Sequence, residues 1–190
     1  PVSEAFRTLR TNLLFSHPDG ALQTLLVTSP TQDADSSQKS ITIANLAVTM
    51  AQSGRQTVLV DCDLRRGNQH KIWDVGNEEG LSTVLLQDSE MSIRDVGVEN
   101  LSLLNAGPQP PNPADLLGSP KMQELIQIMM SQAEMVLFDA PPVLAVTDAA
   151  LLAANLDGVL LVFSAGQTKR AHAARAKELL ERVNVNIVGA

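Results

Sequence analysis

Tyrosine is absent from this sequence, and its 190 residues include only one cysteine, one tryptophan and four phenylalanines. The single cysteine, Cys62, excludes an internal disulfide and any metal site built from several cysteines, and it is typical of a reducing compartment. No run of about 18 apolar residues occurs, so the sequence predicts no membrane-spanning helix. The chain is long enough to form one α/β domain with a sizeable core.

Positive charge is also scarce. The chain has 14 lysines and arginines against 21 aspartates and glutamates, which gives a net charge of −7. The acidic residues are scattered along the chain, and no basic stripe of the kind that binds nucleic acid is present. We therefore expect no nucleic acid among the partners of this protein.

A phosphate-binding loop is predicted near the N-terminus. An apolar run at residues 25–27 leads into a polar loop, which ends at Lys39-Ser40, where a long apolar helical pattern begins. Strand, loop, Lys-Ser and helix are the layout of a P-loop. In a P-loop the backbone N–H groups surround a phosphate, the lysine reaches the outer phosphates and the serine binds Mg²⁺.

This loop lacks the glycines that a P-loop uses for positive φ and for close approach of the backbone to phosphate. Gln38 stands where the glycine before the lysine belongs, and Asp33 and Asp35 add negative charge beside a site for polyanions. Taken alone, Lys39 and Ser40 would more often be a surface lysine and a helix N-cap than parts of a phosphate site.

Three carboxylates follow predicted strands. The apolar run at 56–60 continues into Asp61 and Asp63, and the run at 134–139 ends in Asp139, followed by Ala-Pro-Pro, which is a Walker B pattern. Parallel α/β sheets bind ligands outside the carboxyl ends of their strands, where carboxylates can bind Mg²⁺ or act as general bases. Taken alone, an Asp-x-Asp pair at such a place forms a loop more often than a site.

Strands alternate with helices along the whole chain. This alternation predicts an α/β fold with a doubly wound, mostly parallel sheet and helices on both faces. We expect one domain over residues 1–190, excised from a longer protein. Residues 91–96 are expected to form a further helical turn, and Met122, Met129 and Met130 to face the core. The predicted helices are 3–16, which Pro18-Asp19-Gly20 ends, 40–53, 70–73, 80–86, 114–117, 121–133, 147–155 and 168–183, and the predicted strands are 25–27, 56–60, 101–104, 134–139, 157–163 and 185–190.

The first predicted helix carries Glu4, Arg7 and Arg10 at intervals of three residues. Such spacing places the three side chains across roughly a third of the helix circumference. They form either a solvated face with local ion pairs or a docking face for another subunit.

Together these motifs resemble the bacterial tyrosine kinases (BY-kinases), the cytoplasmic partners of exopolysaccharide and capsule chain-length regulators. Segment 61–66, Asp-Cys-Asp-Leu-Arg-Arg, looks like the family's modified second Walker motif, and segment 136–142 matches its Walker B motif. Segment 105–120 is similar to the family's Gly-x-x-Pro-Pro-Asn-Pro-x-Glu/Asp-Leu-Leu segment, and Glu4-x-x-Arg7-x-x-Arg10 resembles its ring-forming helix motif. The resemblance covers essentially the whole chain.

The resemblance implies an ATP-dependent protein-tyrosine kinase with ATP or ADP and Mg²⁺ as cofactors. The implied catalytic residues are Lys39, Asp61 and Asp63, of which the two aspartates would accept the proton of an incoming tyrosine. The implied nucleotide-binding residues are Gln38, Lys39, Ser40 and Ile41, and the implied metal-binding residues are Ser40, Asp61 and, through water, Asp139.

The resemblance also implies partners and a location. Glu4, Arg7 and Arg10 would bind a neighbouring subunit in a homo-oligomeric ring. A membrane chain-length regulator, in the same or another chain, would hold the domain at the cytoplasmic, inner face of the membrane.

Three departures from the family pattern bear on activity. The loop before Lys39 has no glycine and is longer than the family's usual loop, and Gly67 replaces the usual proline after the two arginines. Residues 1–190 also contain no tyrosine for the family's self-phosphorylated cluster, which truncation at Ala190 would explain, although truncation would not explain the loop. We therefore expect weakened or lost catalysis in a pseudokinase or assembly module, with an active tyrosine autokinase as the alternative. A ParA/MinD-like ATPase is a third hypothesis, but those proteins carry a further lysine near the start of the loop, and residues 28–38 contain none.

Overall fold

A computed structural model describes residues 4–16, 22–31, 37–87, 89 and 91–190. Its strands are β1 (Thr24–Thr28), β2 (Thr57–Asp61), β3 (Arg94–Asp95), β4 (Leu101–Leu104), β5 (Met135–Asp139), β6 (Gly158–Leu161) and β7 (Ile187–Gly189). They form one sheet in the order β3-β4-β2-β5-β1-β6-β7, and every pairing is parallel except that of β3 with β4. The predicted mostly parallel sheet is confirmed.

Helices cover both faces of this sheet. They are α1 (Glu4–Phe15), α2 (Ser37–Ala51), α3 (Gln69–Ile72), α4 (Leu81–Gln87), α5 (Pro113–Leu117), α6 (Pro120–Gln132), α7 (Asp148–Ala153) and α8 (Arg170–Arg182). Successive side chains of a strand point to opposite faces. One hydrophobic cluster therefore joins Leu25 and Leu137 to α1 and α2, and a second joins Leu26 and Phe138 to α4–α8. The doubly wound arrangement is confirmed.

Several details of the predicted elements are now resolved. Met122 and Met129 are buried in the second cluster and Met130 packs against it, as predicted. The prediction of a helical turn over residues 91–96 is wrong, because Arg94–Asp95 form an antiparallel edge strand with Leu103 and Ser102. The helix of the predicted P-loop begins at Ser37, so Lys39 lies in its first turn.

Two of the predicted features lie outside the described residues. These are the turn at residues 18–20 after α1 and the acidic loop positions Asp33 and Asp35. Across the described part of the chain, no helix combines the length and the apolar character needed to cross a membrane.

Strand register brings the predicted site residues to one edge of the sheet. In the parallel pairings of β5, Asp139 is aligned with Val27 of β1 and with Asp61 of β2. All three strands are buried along their whole length. The loops that follow them therefore meet at the carboxyl edge of the sheet, which is where ligands bind in this architecture.

Candidate nucleotide site

A cleft of about 320 Å³ opens at this carboxyl edge. Its lining residues are Ser29, Thr31, Gln38, Lys39, Ser40, Asp63, Arg66, Gly67, Asn68, Lys71, Pro142, Val162 and Ser164. Four predicted site residues thus face one cavity: Gln38, Lys39, Ser40 and Asp63. Asp61 and Asp139 are fully buried beside it, whereas Ile41 is 44% exposed and does not line it.

The loop that precedes Lys39 is anchored where it leaves the sheet. The Thr28 hydroxyl donates to the Pro141 carbonyl at 2.7 Å, and the Val143 N–H donates to the Ser29 carbonyl at 2.9 Å. These bonds fix the end of β1 to the segment that follows β5. The entry of the loop and the Walker B segment therefore form one side of the cleft.

Lys39 and Asp139 form a buried ion pair. The Nζ atom of Lys39 contacts Asp139 Oδ1, and both side chains are almost wholly removed from solvent. A charge buried this deeply is costly unless it is paired. If the lysine is to bind the outer phosphates of a nucleotide, it has to leave Asp139 and exchange a carboxylate for a phosphate.

Asp61 accepts three backbone hydrogen bonds from the segment that follows it. Its Oδ1 accepts from the Asp63 N–H at 3.2 Å, and its Oδ2 accepts from the Asn68 and Gln69 N–H groups at 2.9 Å each. Burial and the neighbouring Asp139 carboxylate nevertheless raise the pKa of Asp61 to about 7. A carboxyl group with a pKa near neutrality is suited to proton transfer.

Asp63 is the carboxylate that reaches the cleft itself. Burial also raises the pKa of Asp63 above its ordinary value, and its Oδ1 accepts a hydrogen bond from the Arg66 N–H at 2.9 Å. Because Asp63 lines the cavity, it has the access to a bound hydroxyl group that a proton acceptor needs.

Cys62 lies between these two aspartates and is fully buried. Its backbone N–H donates to the Asp139 carbonyl at 2.9 Å, which extends the β2–β5 pairing to the site. Burial and the Asp61 carboxylate raise the pKa of its thiol well above the ordinary value. Cys62 is therefore a packed structural residue with little thiolate character.

Gln69 joins the site, although sequence reasoning did not identify it. Its Nε2 donates to Asp139 Oδ2 at 2.7 Å and to the Ser40 carbonyl at 3.0 Å. Its Oε1 accepts a hydrogen bond from Trp73 Nε1 at 3.1 Å. The i, i+4 spacing of Gln69 and Trp73 could have indicated their contact with each other, but no local pattern indicates the contacts of Gln69 with Asp139 and Ser40.

Arg65 has a structural partner that the sequence did not reveal. Its Nε and Nη2 donate to the two carboxylate oxygens of Asp148 at 3.0 and 3.2 Å. Asp148 is fully buried at the start of α7, and this hydrogen bond raises the pKa of the Arg65 guanidinium. Such a bidentate pair holds the segment after Asp63 against α7, whereas the adjacent Arg66 lines the cleft.

The glycine at position 67 follows from local packing. A Cβ atom added there would lie 2.7 Å from the Cβ of Ala106 and 3.0 Å from Oδ2 of Asp61. Both distances are shorter than ordinary van der Waals contacts. Glycine therefore fits this position, where the Cβ atom of a proline would clash.

The donor set fits a magnesium ion that is shared with a nucleotide. Mg²⁺ usually keeps several waters and takes one or two carboxylates together with phosphate oxygens. Asp61, Asp139 and the Ser40 hydroxyl would supply such a partial set. Within the described ranges there is no group of three or more His, Cys, Asp and Glu side chains that would enclose a metal without a nucleotide.

The predicted docking face on α1 divides into two parts. Arg7 and Glu4 form an exposed ion pair with each other at 3.2 Å. Arg10 is half-buried, and its Nη1 donates to the Thr49 carbonyl of α2 at 3.0 Å. Arg10 therefore helps to hold α1 on α2, while the role of this face in binding another subunit stays a prediction.

Comparison with known proteins decides the family. The chain is 41% identical over 190 residues to the tyrosine-protein kinase YwqD of Bacillus subtilis strain 168, covering 99% of this chain and 79% of YwqD. The chain belongs to the bacterial tyrosine kinases. A second tyrosine kinase relative, the putative tyrosine-protein kinase CapB of Staphylococcus aureus, is 37% identical and is covered to 82% of its length. The structure of this chain matches the crystal structure of the chimerical protein CapA2B2 with a TM-score of 0.93 at 38% identity, covering 100% of this chain and 83% of that one.

More distant comparisons place this tyrosine kinase chain in a wider fold group. It matches MinD of Pyrococcus horikoshii, solved with Mg-ADP, with a TM-score of 0.71 at 20% identity, covering 87% of this chain and 67% of that one. At this identity the match shows a common P-loop NTPase fold alone. The tyrosine-protein kinase etk of Escherichia coli K12 is 35% identical, covering 98% of this chain and 26% of Etk. No protein-family model matches the chain.

Proposed function

We propose that this chain is an ATP-dependent tyrosine kinase module of exopolysaccharide or capsule synthesis in which catalysis is weakened and the role in assembly is retained. The observation that carries this proposal is the absence of glycine from the loop that precedes Lys39. Backbone N–H groups can surround a phosphate only where the chain approaches it closely, and glycine permits that approach. The acidic residues of the same loop add repulsion toward a polyanion.

In this proposal the chain's own residues have distinct tasks. Lys39 leaves Asp139 to contact the outer phosphates, and Gln38 and Ser40 contact the nucleotide, whereas Ile41 does not line the cleft and is left out of this role. Asp63, which lines the cleft beside the buried Asp61, accepts the proton of the tyrosine hydroxyl. Asp139 and Ser40 hold Mg²⁺, with Asp61 as a further ligand. When bound, the metal would neutralise charge on the transferred phosphoryl group.

An active kinase is the second candidate, and one observation favours it. Lys39, Ser40 and the three carboxylates meet at one edge of the sheet, and phosphoryl transfer depends mainly on positioning and charge. Because residues 1–190 contain no tyrosine, an active enzyme would phosphorylate a tyrosine that lies outside this segment.

Restoring glycines to the loop tests the proposal. We expect a variant with a Gly-x-Gly-Lys-Ser loop to bind Mg-ADP about tenfold more tightly than the natural chain, because closer approach of the backbone would add a hydrogen bond to a charged phosphate, worth about 1.5–3 kcal/mol. Calorimetric titration measures both affinities, and phosphorylation of an added tyrosine peptide measures transfer. A loop of the same length with alanine in place of each glycine is the control.

The alternatives give different results in this titration. Tight binding by the natural chain, peptide phosphorylation and no gain from the glycines would replace the weakened-kinase proposal with the active one. No heat from either chain at millimolar nucleotide would rule out the nucleotide site.

We further propose that residues 1–190 act as one unit in a homo-oligomeric ring at the inner face of the membrane, held by a chain-length regulator. The exposed Glu4–Arg7 pair on α1 is the candidate docking face. We expect Arg7→Ala to reduce the oligomer to smaller species in analytical ultracentrifugation, because removing the cation leaves Glu4 unpaired at the interface.

The control for this prediction is Lys177→Ala, which removes an exposed cation from α8. Arg10→Ala is unsuitable as the sole test, since it would also break the contact between α1 and α2. An unchanged sedimentation coefficient for Arg7→Ala would remove this face from the proposal.

A further inference from the structure

Gln69 contacts three elements of the candidate site at once. It is fully buried at the start of α3. Its backbone N–H donates to Asp61 Oδ2 at 2.9 Å, and its side-chain Nε2 donates to Asp139 Oδ2 at 2.7 Å and to the Ser40 carbonyl at 3.0 Å. Gln69 therefore links the carboxylates at the ends of β2 and β5 to the first turn of α2.

Trp73 determines which way the Gln69 amide faces. A glutamine amide can be placed in two orientations that differ in the positions of oxygen and nitrogen. An indole N–H can only donate, so the atom that it meets at 3.1 Å must be the Gln69 oxygen. The amide nitrogen then faces Asp139, where its two N–H groups find the carboxylate and the Ser40 carbonyl.

This arrangement makes the two oxygens of Asp139 different. Gln69 donates to Oδ2, and Lys39 pairs with Oδ1. When Lys39 turns to a phosphate, Oδ1 loses its partner while Oδ2 keeps the amide. The carboxylate stays in place and exposes one defined oxygen.

We propose that Gln69 is a positioning residue that holds the Asp139 carboxylate so that Oδ1 is presented to Mg²⁺ and its waters, with Trp73 fixing the orientation of the Gln69 amide. The inference rests on the proposed nucleotide and magnesium site, and it assigns to that site two residues outside its motifs. Buried partners of metal-binding carboxylates commonly orient them in this way.

Gln69→Met is the central variant, because methionine has a similar length and volume but no N–H groups. ADP affinity is measured by calorimetry with and without Mg²⁺. For each protein, the ratio of its affinity with Mg²⁺ to its affinity without Mg²⁺ is called the magnesium gain. The substitution is made both in the natural chain and in the variant with the Gly-x-Gly-Lys-Ser loop, called the glycine-loop chain. We expect the magnesium gain to fall about tenfold, the loss expected for a hydrogen bond to a charged group. Affinity for metal-free ADP should stay within about twofold, since Gln69 does not line the cleft.

A second variant and a fluorescence signal test the proposal even if Gln69→Met fails to fold. Trp73→Phe retains the aromatic ring but removes the N–H that orients the amide, so we expect a loss of about threefold in magnesium gain. Trp73 is the only tryptophan of the chain. In chains that retain it, its emission should change on addition of Mg-ADP more than on addition of ADP alone, and Gln69→Met should abolish that difference.

Gln23→Met is the matched control. The Nε2 of Gln23 also donates to two carbonyls, those of Met130 and Ala133, at 2.7 and 2.8 Å. Gln23 precedes β1 and therefore lies at the opposite end of the sheet from Asp139. Its variant should lose comparable hydrogen bonds and keep the magnesium gain.

The possible results separate this inference from the proposed function. A magnesium gain that is unchanged in Gln69→Met, or ADP binding weakened equally with and without Mg²⁺, would overturn the positioning role and leave the nucleotide site intact. Absence of ADP binding in both the natural and the glycine-loop chains would overturn the proposed function, and the role of Gln69 with it.

Discussion

Lys39→Met is expected to destabilise the chain by about 3–5 kcal/mol, the usual cost of removing one partner from a buried ion pair. The variant leaves Asp139 buried without its cation, next to Asp61 at the end of the neighbouring strand. Urea unfolding at pH 8, above the pKa of about 7 that Asp61 has in the natural chain, measures the loss. The same substitution should abolish nucleotide binding, because it removes the cation that would contact phosphate.

The charge count of the site predicts an order among related variants. At pH 8, Lys39→Met leaves two buried carboxylates and no cation, whereas Asp139→Asn leaves Lys39 with Asp61. The double variant Lys39→Met/Asp139→Asn leaves Asp61 alone, which is the net charge of the natural site. We therefore expect the double variant and Asp139→Asn to be more stable than Lys39→Met. A double variant as unstable as Lys39→Met would show that lost packing, and not unpaired charge, causes the effect.

Stability should fall as pH rises through the titration of Asp61. Its pKa is about 7 in the folded chain against an ordinary value of 3.8, so the folded state holds a proton that the unfolded state has released. The free energy of unfolding therefore decreases with rising pH between about 4 and 7, by up to about 1.4 kcal/mol per pH unit for one proton. Above about pH 7 this contribution is constant.

Asp61→Asn isolates that contribution. The variant cannot take up this proton. The slope of its free energy of unfolding against pH should therefore differ from that of the natural chain, and between pH 5 and 7 the difference should correspond to close to one proton. Urea unfolding across this range measures the slopes. Asp95→Asn, which removes an exposed carboxylate that accepts the Gly97 N–H, controls for the loss of a negative charge. Equal slopes for Asp61→Asn and the natural chain would assign the pH dependence to other groups.

Some residues lie at the carboxyl edge of the sheet, as the sequence predicted, and the pattern that predicts this position is local in the chain. Asp61 and Asp139 end apolar runs that are buried strands, and the carboxyl ends of parallel strands meet at one edge of a sheet. Lys39 lies in the first turn of the helix that follows β1. For these residues, position in the chain predicted position in the fold.

The features that were missed depend on contacts between distant parts of the chain. Gln69 meets Ser40 and Asp139, which lie 29 and 70 residues away, and Arg65 meets Asp148, 83 residues away. The edge strand β3 likewise depends on its pairing with β4, because its two residues are too few to show the alternation of apolar and polar residues that indicates a strand. No local pattern indicates such partners.

The strand order has a consequence for how the chain folds. Strand β1 lies between β5 and β6, so that Thr24 pairs with Val136 and Leu25 with Gly158. During synthesis β1 therefore stays unpaired until β5 and β6 have been made, whereas β2 and β4 can pair earlier. Non-local pairing of this kind slows folding and leaves apolar strands exposed to aggregation. We expect the emerging N-terminal half to depend on chaperones until β5 has left the ribosome.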